Sequence, residues 1–293
     1  MVRISMLIVL FPTLVWSESG LAIPVVPLQQ APVIDGDWND WKSARLSPKV
    51  VPLETSSLGQ DAEAENATEE KSWQPILQVQ AGLFGTRFYL AAQWTDSVAN
   101  TQYKPLKKMG SGYRRGLNKD DMFAIRFPIS GDFAKCMISR RTYATDLWIW
   151  SAGRSNLVGR AEDLTHRFSP QRLDPAQEYA SPYGTIYIQK LPDEGQRGWA
   201  YTPDPKEPGP EIIPGVIVQG EPSGSRADVQ AKGSWKDGFW TLEISRELKT
   251  PDPNDVVFPT RGEVIGQIAL FNAEYTLRKR ISEPLHFVFP GVP

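Results

Sequence analysis

The chain of 293 residues has one cysteine, Cys136, and two histidines. A single thiol cannot close an intrachain disulfide or supply the Cys-x-x-Cys-His attachment of c-type haem, and two histidines are too few for a His-rich zinc or copper site. Charge of one sign is also lacking. Thirty-two basic residues stand against thirty-four acidic ones, a net of −2, which leaves no cationic field for a nucleic-acid backbone. No Gly-x-Ser-x-Gly elbow occurs, and neither histidine is flanked by a recognisable triad partner, so hydrolytic catalysis is not expected. The glycine-rich loops that cradle nucleotide phosphates are missing as well. Asp120-Asp121 is a carboxylate pair, but neighbours on a strand point to opposite faces and cannot share a substrate.

What is present belongs to a folded, exported protein. Hydrophobic residues make up 41% and charged ones 23%, as in globular chains. Arg3, the apolar run Ile4–Trp16 and the small residues around Gly20-Leu21-Ala22 predict a signal peptide over 1–22. The run is shorter than the roughly 20 apolar residues a membrane span needs, and no later stretch is long enough. Residues 23–293 are therefore expected to form one domain outside the cytoplasm, in the periplasm or otherwise secreted, with Cys136 as a buried, inert thiol.

Helical periodicity over a dozen residues is hard to find, whereas period-two alternation recurs. Leu77, Val79, Ala81 and Leu83 share one face, Phe84-Gly85-Thr86 turns the chain, and Phe88, Leu90, Ala92 and Trp94 repeat the pattern. Phe123, Ile125 and Phe127 form another inward row, with Met122, Ala124 and Arg126 opposite. Asp237-Gly238 supplies the positive φ angles of a tight hairpin. Ile265–Tyr275 and Pro284–Phe289 read as two further strands. Together these predict an all-β fold, an antiparallel two-sheet β-sandwich. Two segments break the pattern: an acidic loop over 54–72 and a Pro/Gly-rich insertion over 191–226. Either could meet a partner, as could the basic stretch from Lys104 to Lys119. Asn66-Ala67-Thr68 fits a glycosylation sequon.

Spaced segments carry a resemblance. Val33-Ile34-Asp35-Gly36, followed by Trp38 and Trp41, resembles the opening of secreted carbohydrate-binding and DOMON-type β-sandwich modules. The stretches Asn118–Pro128, Cys136-Met137, Asp146–Trp150, Phe239–Arg246 and Arg278–Ser282 occur in that order. With the opening, they resemble the haem-binding domain of the ethylbenzene dehydrogenase γ subunit. The resemblance implies one non-covalent haem b, its iron held by the sulfur of Met137 and the amine of Lys279, with Trp148 and Trp150 as walls of a slot between the two β layers. It further implies an electron-transfer subunit that transforms no substrate itself. Such a subunit relays electrons between an iron–sulfur subunit, partnered by a molybdopterin subunit, and a soluble redox carrier.

The chemistry is coherent. A thioether stabilises ferrous iron, and a lysine ligates only as the neutral amine, which burial favours. Each residue also has a bland reading: Met137 as a gap-filler, Lys279 as one charge of a solvated turn, and the two tryptophans as core. His286 is the rival nitrogen ligand, and Met109 and Met122 are weaker substitutes for Met137. The alternative function is a sugar- or small-ligand-binding module without haem, using an aromatic platform drawn from ten tryptophans.

Overall fold

A computed structural model describes residues 20–44, 47–55, 73–207, 209–273 and 279–291. In chain order its strands begin with β1 (Leu21–Pro27), β2 (Lys49–Val51), β3 (Leu53–Thr55), β4 (Leu77–Phe84), β5 (Arg87–Thr95), β6 (Leu106–Met109), β7 (Gly112–Arg115), β8 (Met122–Gly131), β9 (Tyr143–Ser151) and β10 (Glu162–Ser169). They continue with β11 (Gln177–Ser181), β12 (Gly184–Pro192), β13 (Trp199–Tyr201), β14 (Ile212–Ile213), β15 (Val216–Val218), β16 (Gln230–Lys236), β17 (Phe239–Glu247), β18 (Arg261–Phe271), β19 (Lys279–Ser282) and β20 (Leu285–Pro290).

Two layers result. The front layer runs β11-β12-β10-β9-β8-β18 and extends through β19 to β3; the back layer runs β16-β17-β5-β4, with β2 also on β4. Along one side the layers are joined by strands that change partner. β18 pairs β8 through Gln267–Phe271 and β20 through Arg261–Gly266, while β1 pairs β20 through its first half and β4 through its second. Such switching turns a sheet around a sandwich corner. The expected two-sheet sandwich is thus present. It departs from a wholly antiparallel arrangement at β1, which is parallel to both neighbours. Leu21 and Ala22 are registered against Leu285 and His286, so the boundary expected at Ala22 falls inside a paired strand.

Alternation explains the core. Phe123, Ile125 and Phe127 of β8, Trp148 and Trp150 of β9, and Leu90, Ala92 and Trp94 of β5 all turn inward. Trp150 meets Trp240 edge-on with ring centroids 5.1 Å apart, and Phe127 meets Trp148 at 5.0 Å. At the tip of the β16–β17 hairpin Asp237 and Gly238 both have positive φ, 51° and 85°, as the Asp-Gly reading requires.

The irregular segments are more ordered than expected. Glu54 and Thr55 belong to β3, paired with β19; residues 56–72, including the sequon and most of the acidic loop, lie outside the described residues. Within the 191–226 insertion, β13 pairs β15 and β14 pairs β6. Arg115 donates to the Thr202 carbonyl at 2.7 Å, so part of the basic stretch is used internally to hold this arm. Among the described residues no helix is long and apolar enough to cross a membrane.

Candidate functional site

The front layer is apolar on both faces. Opposite the core row, Ala124 of β8, Leu147 and Ile149 of β9, Ala269 and Phe271 of β18 and Ile281 of β19 face outward and floor a cavity of about 400 Å³. Its roof is the β8–β9 connection, which places Cys136 and Met137 over the sheet. Met137 packs at the side of β10 and β12, against a cluster containing Phe168, Ile186 and Ile188. Lys279 enters from β19 at the far side, with β9, β8 and β18 between. The two residues singled out as iron ligands therefore line one cavity.

Trp148 and Trp150 do not line it. Their parity on β9 turns them into the inter-layer core, where both are fully buried, while Leu147 and Ile149 turn the other way. The space between the layers is filled with side chains, and the two tryptophans stand on that inner side rather than beside Met137 and Lys279. The cavity sits on the outer face instead. His286 is also elsewhere. It lines a neighbouring cavity, with Nδ1 3.3 Å from Glu263 Oε2. Met109 is exposed near the turn joining β6 and β7, and the sulfur of Met122 lies 2.7 Å from Arg154 Nη2. Cys136 is half-buried rather than enclosed.

The electrostatics of the cavity are cationic. Burial, then the nearby Arg126 charge, brings the Lys279 amine down to about 8, close enough to neutrality for a lone pair to be available at little cost. Arg126 is buried, and it donates from Nε to Gln267 Oε1 at 2.8 Å, from Nη1 to Tyr143 Oη at 3.1 Å, and from Nη2 to the Ala134 and Lys135 carbonyls at 2.6 and 2.8 Å. These bonds tie the roof to the floor just before Met137. Among the described residues no ion pair is formed by Arg126, so its charge is met by neutral acceptors. At the rim Lys135 is paired with Glu54 at 2.8 Å and with Glu283.

Sequence reasoning missed two lining residues, Arg126 and His166. Burial, then the Lys190 and Arg126 charges, lowers His166 to about 3, which keeps the imidazole neutral. Nothing in its local sequence marks it. Only the β10 register, which sets it opposite Thr145 and Lys190, brings it to the cavity wall.

Residues 35–280 match the sequence profile of the ethylbenzene dehydrogenase family, most of the chain. The chain belongs to that family. The match runs through the front layer as far as Arg280 of β19 and takes in Met137, Lys279 and every residue that lines the cavity except Ile281. No curated protein matches the chain. Among solved structures, this family member is similar to a provisionally assigned carbohydrate-binding protein from Bacteroides uniformis at 7% identity and a TM-score of 0.40, with 94% of each chain covered. It is also similar to a family 9 carbohydrate-binding module from Caldicellulosiruptor kristjanssonii in complex with glucose, at 11% identity and a TM-score of 0.35, covering 92% of this chain and 97% of that one.

Proposed function

We propose that this chain binds one haem b without covalent attachment in the outer-face cavity and serves as a periplasmic electron-transfer subunit. It relays electrons between an iron–sulfur subunit of a molybdenum oxidoreductase complex and a soluble carrier. The observation that carries the reading is the convergence of Met137 and Lys279 on one cavity from opposite sides of an apolar floor. The donor set fits the group: a thioether, an amine held toward its neutral form, an apolar floor, and a buried guanidinium that would favour carboxylates. Bound haem would supply a one-electron centre. The chain's own contribution is to exclude water, to lower the cost of deprotonating the Lys279 amine and to fix Met137 through the Arg126 bonds.

A second reading rests on the opposite face. Trp38 and Phe239, with Gln78, Gln93 and Thr241, line a cavity of about 940 Å³ on the back layer, a surface suited to a neutral sugar. Visible absorption of protein produced with ample haem separates the two. The expected result is a Soret band with sharp reduced α and β bands, altered by Met137→Ala and by Lys279→Ala and unaltered by His286→Ala. A colourless protein that binds glycans would establish the second reading and remove the first.

A further inference from the structure

Away from the cavity, at the end of the sandwich where β12 leaves the front layer and the β17–β18 connection crosses it, three aspartates surround one arginine and two more stand beside the third of them. Asp146 and Asp163 stand on the inner face of β9 and β10, Asp193 follows β12, and Asp252 and Asp255 come from the β17–β18 connection. Arg246, fully buried, donates to Asp146 Oδ2 at 2.6 Å and lies 3.6 Å from Asp255 and 3.9 Å from Asp163. One positive charge thus stands among three carboxyl groups, and its hydrogen bonds to the cluster go to Asp146 alone.

The remaining group is oxygen-rich. Ligand atoms of Asp193, Asp252 and Asp255 all lie within 4.8 Å of one another, and Asp252, only partly buried, opens the group to solvent. A separate observation points to a ligand there. Asp163 stands outside that triad and is 0% exposed, neither of its carboxylate oxygens has a hydrogen-bond partner, and one of them lies within 4.8 Å of Asp255. Asp193 Oδ2 and Asp255 Oδ1 are likewise buried without a partner. The nearest cation, Arg246, is 3.9 Å from Asp163 and gives its hydrogen bond in the cluster to Asp146; a buried carboxyl left without a donor is costly, and natural folds avoid this by pairing or metal coordination.

We propose that Asp193, Asp252 and Asp255, backed by Asp163, bind a divalent cation of the calcium class. The donors are all hard oxygens, with no imidazole or thiolate among them. They come from a connection and two strand ends rather than from one rigid element, and calcium tolerates such variable geometry where magnesium demands an octahedron. The ion would fasten the β17–β18 connection to the edge of the front layer. It is independent of haem, so the test can be run on haem-free protein.

The experiment is thermal unfolding of the full chain, dialysed against chelator, with calcium then added, alongside equilibrium dialysis with radiolabelled calcium. The expected result is one ion bound and a saturable rise in melting temperature on the order of 5 °C. Asp252→Asn, at the solvent side, should abolish both. Asp163→Asn should raise the melting temperature in chelator, because a carboxyl crowded by neighbouring acids is replaced by an amide that can donate to them, while cancelling the response to calcium. Absence of binding at millimolar calcium, or a rise that survives undiminished in Asp252→Asn and Asp193→Asn, would overturn the site.

Discussion

Glu243 shows how much of the recognisable sequence is structural latch rather than cofactor chemistry. Its carboxylate accepts from Asp35 N at 3.1 Å, Gly36 N at 2.9 Å and the Trp41 indole at 2.8 Å, so the Phe239–Arg246 segment locks down the opening Asp-Gly…Trp segment. Gly36 is required there. Its φ is +86° and a Cβ would come 2.8 Å from Ser234 N. Two further landmark pairs behave alike: Arg246 bonds Asp146, and the Trp240 indole donates to Asp121 at 3.0 Å. Glu243→Ala should therefore destabilise by about 1–3 kcal/mol for each buried donor left without a partner. Each such kcal/mol lowers the melting temperature by roughly 2–4 °C in a domain of this size. Thermal unfolding followed by tryptophan fluorescence checks this, and an unchanged melting temperature would show that the latch carries no energy. Met137 and Lys279 were reachable from the sequence only through motif resemblance, since a lone methionine and a lysine between arginines have no periodic signature. His166 and Arg126 had no signal at the residue level at all.

At the scale of the strand the signal existed but pointed the wrong way. β8 alternates Phe123, Ile125 and Phe127 with Met122, Ala124 and Arg126, and the second row reads as a solvent face. β9, however, carries Leu147 and Ile149 on the parity opposite its tryptophans, and β18 carries Ala269 and Phe271 opposite Ile268 and Leu270. Strands apolar on both parities belong to a sheet covered on both faces. That feature, taken across three strands, marks an outer-face site, whereas the tryptophan pair drew attention to the inner face. An inner and an outer placement of the haem make different predictions. Trp148→Phe should lower stability by roughly 1–3 kcal/mol through lost core volume, yet leave the visible spectrum of the haem-loaded protein as it was. A shifted Soret band in a variant that is still folded would return Trp148 to the haem site.

The whole molecule carries buried acids in its core as well as at the proposed cation site, and these set its response to pH. Asp121 is fully buried and is pushed up to about 7, first by burial and then by the neighbouring Asp96 charge. Asp96 itself is raised to about 6 by burial. Glu243 is raised to about 7, again by burial before any other cause. In the unfolded chain such carboxyls lose their protons near pH 4. Between about pH 4 and pH 7 the folded state therefore holds more protons than the unfolded one, and stability falls as pH rises through that window. The protein should melt at a higher temperature at pH 5.5 than at pH 7.5 in chelator-containing buffer, opposite to the acid-labile behaviour of a fold held by surface ion pairs. In Glu243→Ala one of these titrating groups is gone, and the slope of melting temperature against pH should be shallower. A melting temperature that instead climbs from pH 5.5 to pH 7.5 would mean these carboxylates are ionised in the folded core, their N–H donors outweighing burial.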